Sequence, residues 1–354
     1  MAAQVPPLHW VSRQISIYPR MHCHLDISYN PNINMKKILI FTPRLTDANR
    51  RDITEAAEAH SYSAVFCDDN ATALREAVDA EIILSADSSL PKAAPELKWM
   101  CCAFAGVEPF LLPGAFANPR ALLTNASGAY GVTIAEHIVM VTLELMRRQM
   151  DYNRIVAARE WVRDLPIRSV RGSRVTLLGA GDIAREAARR LRAFDPKRIV
   201  ALNRSGRNAG SLFDRTLPVS ALDGILPETD LLVMALPGTP ETRGIMDGRR
   251  LALLPKDAFL INVGRGSAVD EAALLALMQG GHLAGAALDV FEREPLPAES
   301  PMWDCPRLLI TTHVAGNMTL EYTVDRIVTM FIEDLGNFCA GRPLAHLVDR
   351  EKGY

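Results

Sequence analysis

From Lys36 onward, short apolar runs alternate with segments of helical period, the pattern of a parallel sheet covered by helices on both faces. The first set of predicted strands is KILIF (37–41), SAVFC (63–67), EIILSA (81–86), LKWMCCA (97–103) and ALLTNA (121–126). The second set is RVTLLG (174–179), RIVALN (198–203), LLVMAL (231–236), AFLINV (258–263), GAALDVF (285–291) and RLLIT (307–311). Two doubly wound α/β units follow from this grouping.

The helical stretches add detail. Ile183, Ala187, Leu191 and Phe194 share one face, with Arg185, Arg189 and Arg192 elsewhere. Asp270 is placed to cap a helix that runs through Met278 and stops at Gly280-Gly281. The segment 133–146 is apolar nearly all round, which predicts burial on more than one side, between domains or at a subunit interface. Near the end, Val324, Ile327, Phe331, Leu335 and Phe338 form another stripe on a helix well placed to return to the first unit. The first domain is therefore expected to be discontinuous, 35–130 plus 318–354, around a dinucleotide-binding domain at 131–317. Residues 1–34 hold four Pro, three His and one acid, with no uninterrupted apolar core. They read as a disordered leader or an upstream start before Met35, although two arginines and few acids also fit a transit peptide.

A length of 354 residues suits two domains, and a net charge of −2 with no long run of one sign supplies no basic face. Nucleic acid and anionic membrane are thus disfavoured as partners. The six cysteines (Cys23, Cys67, Cys101, Cys102, Cys305 and Cys339) form no CxxC pair, so neither a metal site nor a disulfide framework is indicated. Reduced thiols in a cytoplasmic protein are the expectation. Cys101 and Cys102 are strand neighbours and should point to opposite faces. The apolar segment 133–146 is too short to span a bilayer.

Chemistry concentrates in the second unit. VTLLGAGDIA sets Gly179, Gly181, Asp182 and Ile183 directly after a strand and at the start of a helix. Gly179 permits the tight turn, and Gly181 lets backbone approach a pyrophosphate at a helix N-terminus. Ala184 holds the third position and is small enough for close helix–strand packing. In this strand–turn–helix setting the run predicts a Rossmann-like dinucleotide site. The next strand ends at Asn203-Arg204-Ser205, without the acid that commonly meets the ribose hydroxyls of NAD, and with cations at Arg204 and Arg207. A solvated loop arginine is the alternative; a 2′-phosphate partner is preferred, which favours NADP(H) over NAD(H).

Three more segments place polar residues in apolar settings. INVGRGSAVD ends a strand with Arg265 between Gly264 and Gly266, leaving room for a bidentate guanidinium–carboxylate contact. ALDVFEREPLP brings Asp289, Glu292 and Glu294 to a strand end, and LLITTHVAGN puts His313 just past another. Arg265, Asp289, Glu294 and His313 fall together at the carboxyl edge of the sheet, where ligands bind in open α/β folds.

These segments, with LPGTPETRGIMD, resemble the D-isomer-specific 2-hydroxyacid dehydrogenase family over about 36–342. The resemblance implies Arg265, Glu294 and His313 as catalytic residues and Asp289 as the nicotinamide-contacting acid. It extends cofactor contact to Leu236, Pro237, Thr242 and Val263. FAGVEPF resembles the family's carboxylate-binding loop, which points to Ala105 and Gly106, and TIAEHIVMVTLELMRR resembles its long interdomain helix, which makes His137 structural. The departures are Ala184 for Gly, Thr312 for Pro and Glu108 for Asp.

The implied reaction moves a hydride between nicotinamide and a small 2-oxo acid of the glyoxylate or hydroxypyruvate type, with no metal. Arg265 would bind the carboxylate and polarise the ketone, His313 would deliver a proton, and Glu294 would hold the imidazole. A homodimer is also implied. The rival from another class is a non-enzymatic dinucleotide-binding redox sensor, which would need no proton donor.

Overall fold

The computed structural model describes residues 35–353, so the expectation for 1–34 lies outside the described residues. The first sheet comprises β1 (Lys36–Phe41), β2 (Tyr62–Phe66), β3 (Ala80–Ser85), β4 (Trp99–Cys102) and β5 (Leu122–Thr124) in the order β2-β1-β3-β4-β5. The second comprises β6 (Arg174–Leu178), β7 (Arg198–Asn203), β8 (Arg215–Pro218), β9 (Leu231–Met234), β10 (Phe259–Asn262), β11 (Gly285–Leu288) and β12 (Leu308–Ile310). Its order is β12-β11-β10-β9-β6-β7-β8. Every strand pair in both sheets is parallel. Helices cover both faces, which is why β4, β9, β10 and β11 are buried at every position and read as apolar runs, β10 closing on the polar but buried Asn262.

The helices are α1 (Asp47–Ala59), α2 (Asn70–Glu76), α3 (Leu90–Ala93), α4 (Gly131–Met146), α5 (Gln149–Ala157), α6 (Asp182–Leu191), α7 (Leu222–Ile225), α8 (Gly248–Leu253), α9 (Glu271–Gln279) and α10 (Glu321–Cys339). α9 starts as its sequence predicts, with the Ala273 amide donating to Asp270 Oδ1 at 3.0 Å. α10 does return to the first sheet: Phe331 and Phe338 stack on Trp99 of β4 with ring centroids 5.3 and 5.6 Å away. Asn49 of α1 also donates to Asp325 of α10 at 2.8 Å. The first α/β unit is thus built from both ends of the described chain.

Four features differ from the sequence reading or refine it. β8 is an extra strand: four half-buried or exposed residues ending in Pro218 at a sheet edge, too short and weakly patterned to stand out. Phe194 leaves the α6 stripe because the helix ends at Leu191 and a tighter 3₁₀ turn follows, which leaves Phe194 exposed. α4 buries one face rather than several. Its residues Ile134, Ala135, Ile138, Val141 and Leu145 pack inward, while Met140 is 45% exposed. Cys101 and Cys102 do face opposite cores, and burial pushes each thiol up to about 12, so neither is a reactive thiolate. Among the described residues no helix is long and apolar enough to cross a membrane.

Candidate active site

In the second sheet the chain runs from β6 outward to β8, then crosses back to β9 on the other side of β6. That reversal opens a crevice at the carboxyl ends of β6 and β9. Gly179 leaves β6 with φ +119°, and a Cβ there would lie 2.8 Å from the Ala235 carbonyl oxygen. Both constraints demand glycine. Gly181 is the N-cap of α6, and a Cβ built on it meets nothing within 4 Å, so the helix N-terminus opens on space a phosphate could fill. Ala184 is buried behind this turn, and Ile183 is half-buried. Asp182 behaves differently from a simple cofactor contact. Its carboxylate is turned to the Gly131 backbone at the start of α4, and burial, with Glu186 adding, raises its pKa.

At the end of β7, Asn203 shapes its own loop. Its Oδ1 accepts from the amides of Ser205 at 3.1 Å and Gly206 at 2.6 Å, and its Nδ2 donates to the Arg207 carbonyl at 2.9 Å. Arg204 and Ser205 stand exposed on that loop. The Glu241 carboxyl is held below its usual range by hydrogen bonds in its own turn and, further off, by Arg204. That turn follows β9, where Thr242 Oγ1 donates to the Pro237 carbonyl at 2.7 Å. Leu236 and Val263 are buried at the neighbouring strand ends, and a Cβ on Gly264 would come within 2.7 Å of the Leu236 carbonyl oxygen.

Arg265 sits one residue further on. Buried Asn262 forms its loop, donating from Nδ2 to the Arg265 carbonyl at 2.9 Å and accepting from the Gly264 amide at 3.1 Å. The guanidinium reaches the first unit: Nε donates to Glu108 Oε1 at 2.6 Å and Nη2 to Oε2 at 3.3 Å, while Nη1 donates to the Gly264 carbonyl at 2.8 Å. Burial alone would raise Glu108, but Arg265 outweighs it and holds the carboxyl below its usual range, with His313 adding to the effect. A Cβ on Gly106 would lie 2.2 Å from Arg265 Nη2, so the Ala105-Gly106 loop and the guanidinium are in direct contact. Asn125 steadies this loop by donating to the Ala105 carbonyl at 2.8 Å.

Glu294 and His313 meet on the same edge. The Nδ1 of His313 lies 2.6 Å from Glu294 Oε2, and Glu294 Oε1 accepts from the Phe291 amide at 2.9 Å. With Nδ1 donating to a carboxylate, Nε2 is left as the ring nitrogen facing outward. The two loops behind these residues touch through backbone, since a Cβ on Gly266 would fall 1.8 Å from the Phe291 carbonyl carbon. Glu292 turns away, pairing with Arg243 at 3.1 Å. Asp289 is buried, and both carboxylate oxygens are engaged: Oδ1 accepts from Thr311 Oγ1 at 2.7 Å and the Val314 amide at 2.9 Å, Oδ2 from the Ala315 amide at 3.0 Å. The carboxylate thus ties down the His313 loop. His137 of α4 lies 3.3 Å from the Thr311 hydroxyl, and burial lowers its pKa.

The structure therefore gathers Arg265, Glu294, His313, Ala105 and Gly106 around one cleft, with the Gly179–Ile183 turn and the 203–205 loop further along the same edge of the second sheet. Asn262, Asn125 and Thr311 also belong to this assembly but carried no sequence signal of their own, and Glu108, marked in the sequence only as a departure from the family's Asp, joins them through a partner distant in the chain.

Residues 139–315 match the model of the D-isomer specific 2-hydroxyacid dehydrogenase NAD binding domain. Glyoxylate/hydroxypyruvate reductase A of Klebsiella pneumoniae strain 342 is 34% identical over 226 residues, covering 63% of this chain and 70% of the relative. Among solved structures, a D-isomer specific 2-hydroxyacid dehydrogenase family protein of Aeromonas salmonicida superposes with a TM-score of 0.77 at 30% identity, covering 89% of this chain and 99% of the other. The NADPH-dependent glyoxylate/hydroxypyruvate reductase of Sinorhizobium meliloti, in complex with NADP and sulfate, gives 0.75 at 29%, covering 90% and 100%. A nucleotide-ready turn, a paired imidazole and a cleft arginine on two parallel α/β units thus coincide with the match, and the chain belongs to the D-isomer specific 2-hydroxyacid dehydrogenase family of oxidoreductases.

Proposed function

We propose that the protein reduces small 2-oxo acids of the glyoxylate and hydroxypyruvate type, with NADPH preferred over NADH. The observation that carries this reading is the convergence of Arg265 with the Glu294–His313 pair, 2.6 Å apart, on one edge of the cleft. A non-enzymatic sensor would need no paired imidazole there.

The dinucleotide supplies the hydride when bound, and the residues present fit it: open space at Gly181 under a helix N-terminus suits a pyrophosphate. Leu236, Pro237, Thr242 and Val263 would line its path toward the reacting edge. Exposed Arg204 and Ser205 would meet a 2′-phosphate, and no acid stands at position 203 to repel it. Backbone amides of Ala105 and Gly106 would hold the substrate carboxylate. Arg265 would bind that carboxylate and offset the charge growing on the ketone oxygen. Glu294 fixes the imidazole, so that a proton on Nε2 of His313 can be delivered to the same oxygen. Asp289, whose carboxylate holds the His313 loop, would orient the nicotinamide carboxamide.

The same reading divides the chain into a substrate domain, 35–130 plus 318–354, and a dinucleotide domain, 131–317, in a cytoplasmic homodimer. Exposed Met140, Val156 and Trp161 around α4 and α5 support a second copy on that side, and light scattering of the purified protein tests it. The functional test is a panel of 2-oxo acids assayed with each cofactor. Equal kcat/KM for NADPH and NADH would overturn the cofactor preference, and no turnover of any 2-oxo acid would overturn the activity.

A further inference from the structure

Arg265 carries five N–H donors in a rigid plane. Glu108 takes the donors of Nε and one from Nη2, and the Gly264 carbonyl takes one from Nη1. Among the described residues, one donor on each Nη then remains, and these two form the end-on fork of the guanidinium. The two residues of the ion pair are 157 positions apart and come from different α/β units. Space for it is cleared by a glycine on each side. A Cβ on Gly106 would lie 2.2 Å from Nη2 and 2.9 Å from Glu108 Oε2, and one on Gly238 would lie 2.9 Å from Glu108 Oε1 and 3.2 Å from Arg265 Cγ.

We infer that Glu108 is a positioning residue for this reaction: it grips the side edge of Arg265 across the cleft, so that the end-on fork is the face offered to the substrate's carboxylate and ketone oxygen. The inference rests on the reading of Arg265 as the substrate-binding arginine. Its physical basis is the stiffness of a bidentate guanidinium–carboxylate pair, which sets the plane of the guanidinium as well as its position. An arginine without that pair keeps its charge but samples several rotamers, and each misdirected one loses the aligned fork. Because the carboxylate comes from the opposite unit, the fork is aimed only when the two units are together, which joins closure of the cleft to competence for anion binding. Burial would raise the carboxyl, but Arg265 outweighs it and holds the carboxyl below its usual range, which favours the charged form the pair needs.

The test uses the full chain with NADPH present and oxamate, an unreactive analogue of a 2-oxo acid, as the probe. Glu108→Gln preserves shape and removes the charge; Glu108→Asp preserves charge on a shorter arm. Calorimetry should show oxamate weakened about tenfold or more in Glu108→Gln, the scale of one charge-assisted contact, with NADPH affinity unchanged and part of the loss restored in Glu108→Asp. In turnover assays both kcat and KM for the oxo acid should worsen, while KM for NADPH holds. Oxamate bound as tightly as in the unmodified protein, or more tightly, would overturn the inference; the tighter case would make Glu108 a competitor for Arg265. If the unmodified protein binds oxamate but reduces no 2-oxo acid, the proposed activity fails while the effect of Glu108 on Arg265 is still read. No oxamate binding by the unmodified protein would overturn both.

Discussion

Asp289 grips the loop of His313 from behind: the His313 amide donates to the Asp289 carbonyl at 2.8 Å, and the next two amides, of Val314 and Ala315, donate to its carboxylate at 2.9 and 3.0 Å. His313 itself has φ +56°, a conformation that side chains adopt only where the surroundings hold it. Asp289→Asn would turn one acceptor into a donor that faces an amide N–H. The expected cost is about 1–3 kcal/mol of stability, read as a lower Tm, with a fall in kcat that exceeds any change in KM for cofactor. Full activity at unchanged Tm would show that the loop holds its shape without this carboxylate.

His313→Ala should lower turnover by roughly 10²–10⁴-fold, the range for a positioned proton donor, and leave NADPH binding intact. Glu294→Gln should fall short of that loss, since an amide oxygen can still accept from Nδ1 and hold the ring. Single-turnover rates with NADPH check both, and a His313→Ala protein of near-normal rate would make the imidazole structural.

Cofactor choice should respond to the loop after β7. Arg204→Ala is expected to weaken NADPH by about tenfold, the low end for a charge-assisted contact at an exposed, salt-screened position, with NADH almost unchanged. Asn203→Asp keeps the acceptor that orders the Ser205 and Gly206 amides while adding a charge that repels a 2′-phosphate. It should shift kcat/KM toward NADH. An identical response of both cofactors to either change would detach the loop from selectivity.

Gly179→Ala places a methyl group 2.8 Å from the Ala235 carbonyl oxygen at a backbone angle hostile to side chains. A stability loss above about 1 kcal/mol is expected, together with loss of dinucleotide binding. Tight NADPH binding by this variant would move the cofactor away from the β6–α6 turn.

Asp182 gives a pH signature. Burial, and Glu186 after it, raise its folded pKa above the unfolded value, so the proton is held more tightly in the folded state. The linked stability is therefore present in full below the unfolded carboxyl range and lost as pH rises through the elevated folded value. Asp182→Asn should raise Tm relative to the unmodified protein at neutral pH, and the gap should close in acid. A constant difference across the pH range would assign the effect to packing against Gly131 alone.

Eleven strands, the capped helix α9 and the return of α10 were legible because each rests on local pattern: buried runs of period two or less, a cap residue, a stripe every three or four positions. β8 escaped because RTLP is an edge segment with neither a buried run nor a clean alternation. The cleft residues Arg265, Glu294 and His313 were legible from strand-end placement and family resemblance together. Glu108 was not, since nothing in the spacing of 108 and 265 says that a carboxylate from one sheet will meet a guanidinium from the other. The same blindness applies to Asn262 and to the loop-holding contacts of Asp289, a residue whose strand-end place the sequence did show but whose partners only the folded loops bring near.

Gly266 sets a rule for how this site can change. Because it lets the Arg265 loop rest directly on the Phe291 backbone, the distance between that arginine and the loop of Glu294 is gauged by two main chains in contact. Side-chain substitutions around them leave that gauge intact. Insertion or deletion of a single residue in either loop would not. The opposite wall is no freer at Gly106 and Glu108, because a Cβ on the glycine would strike Arg265 Nη2 and the carboxylate is paired with the guanidinium.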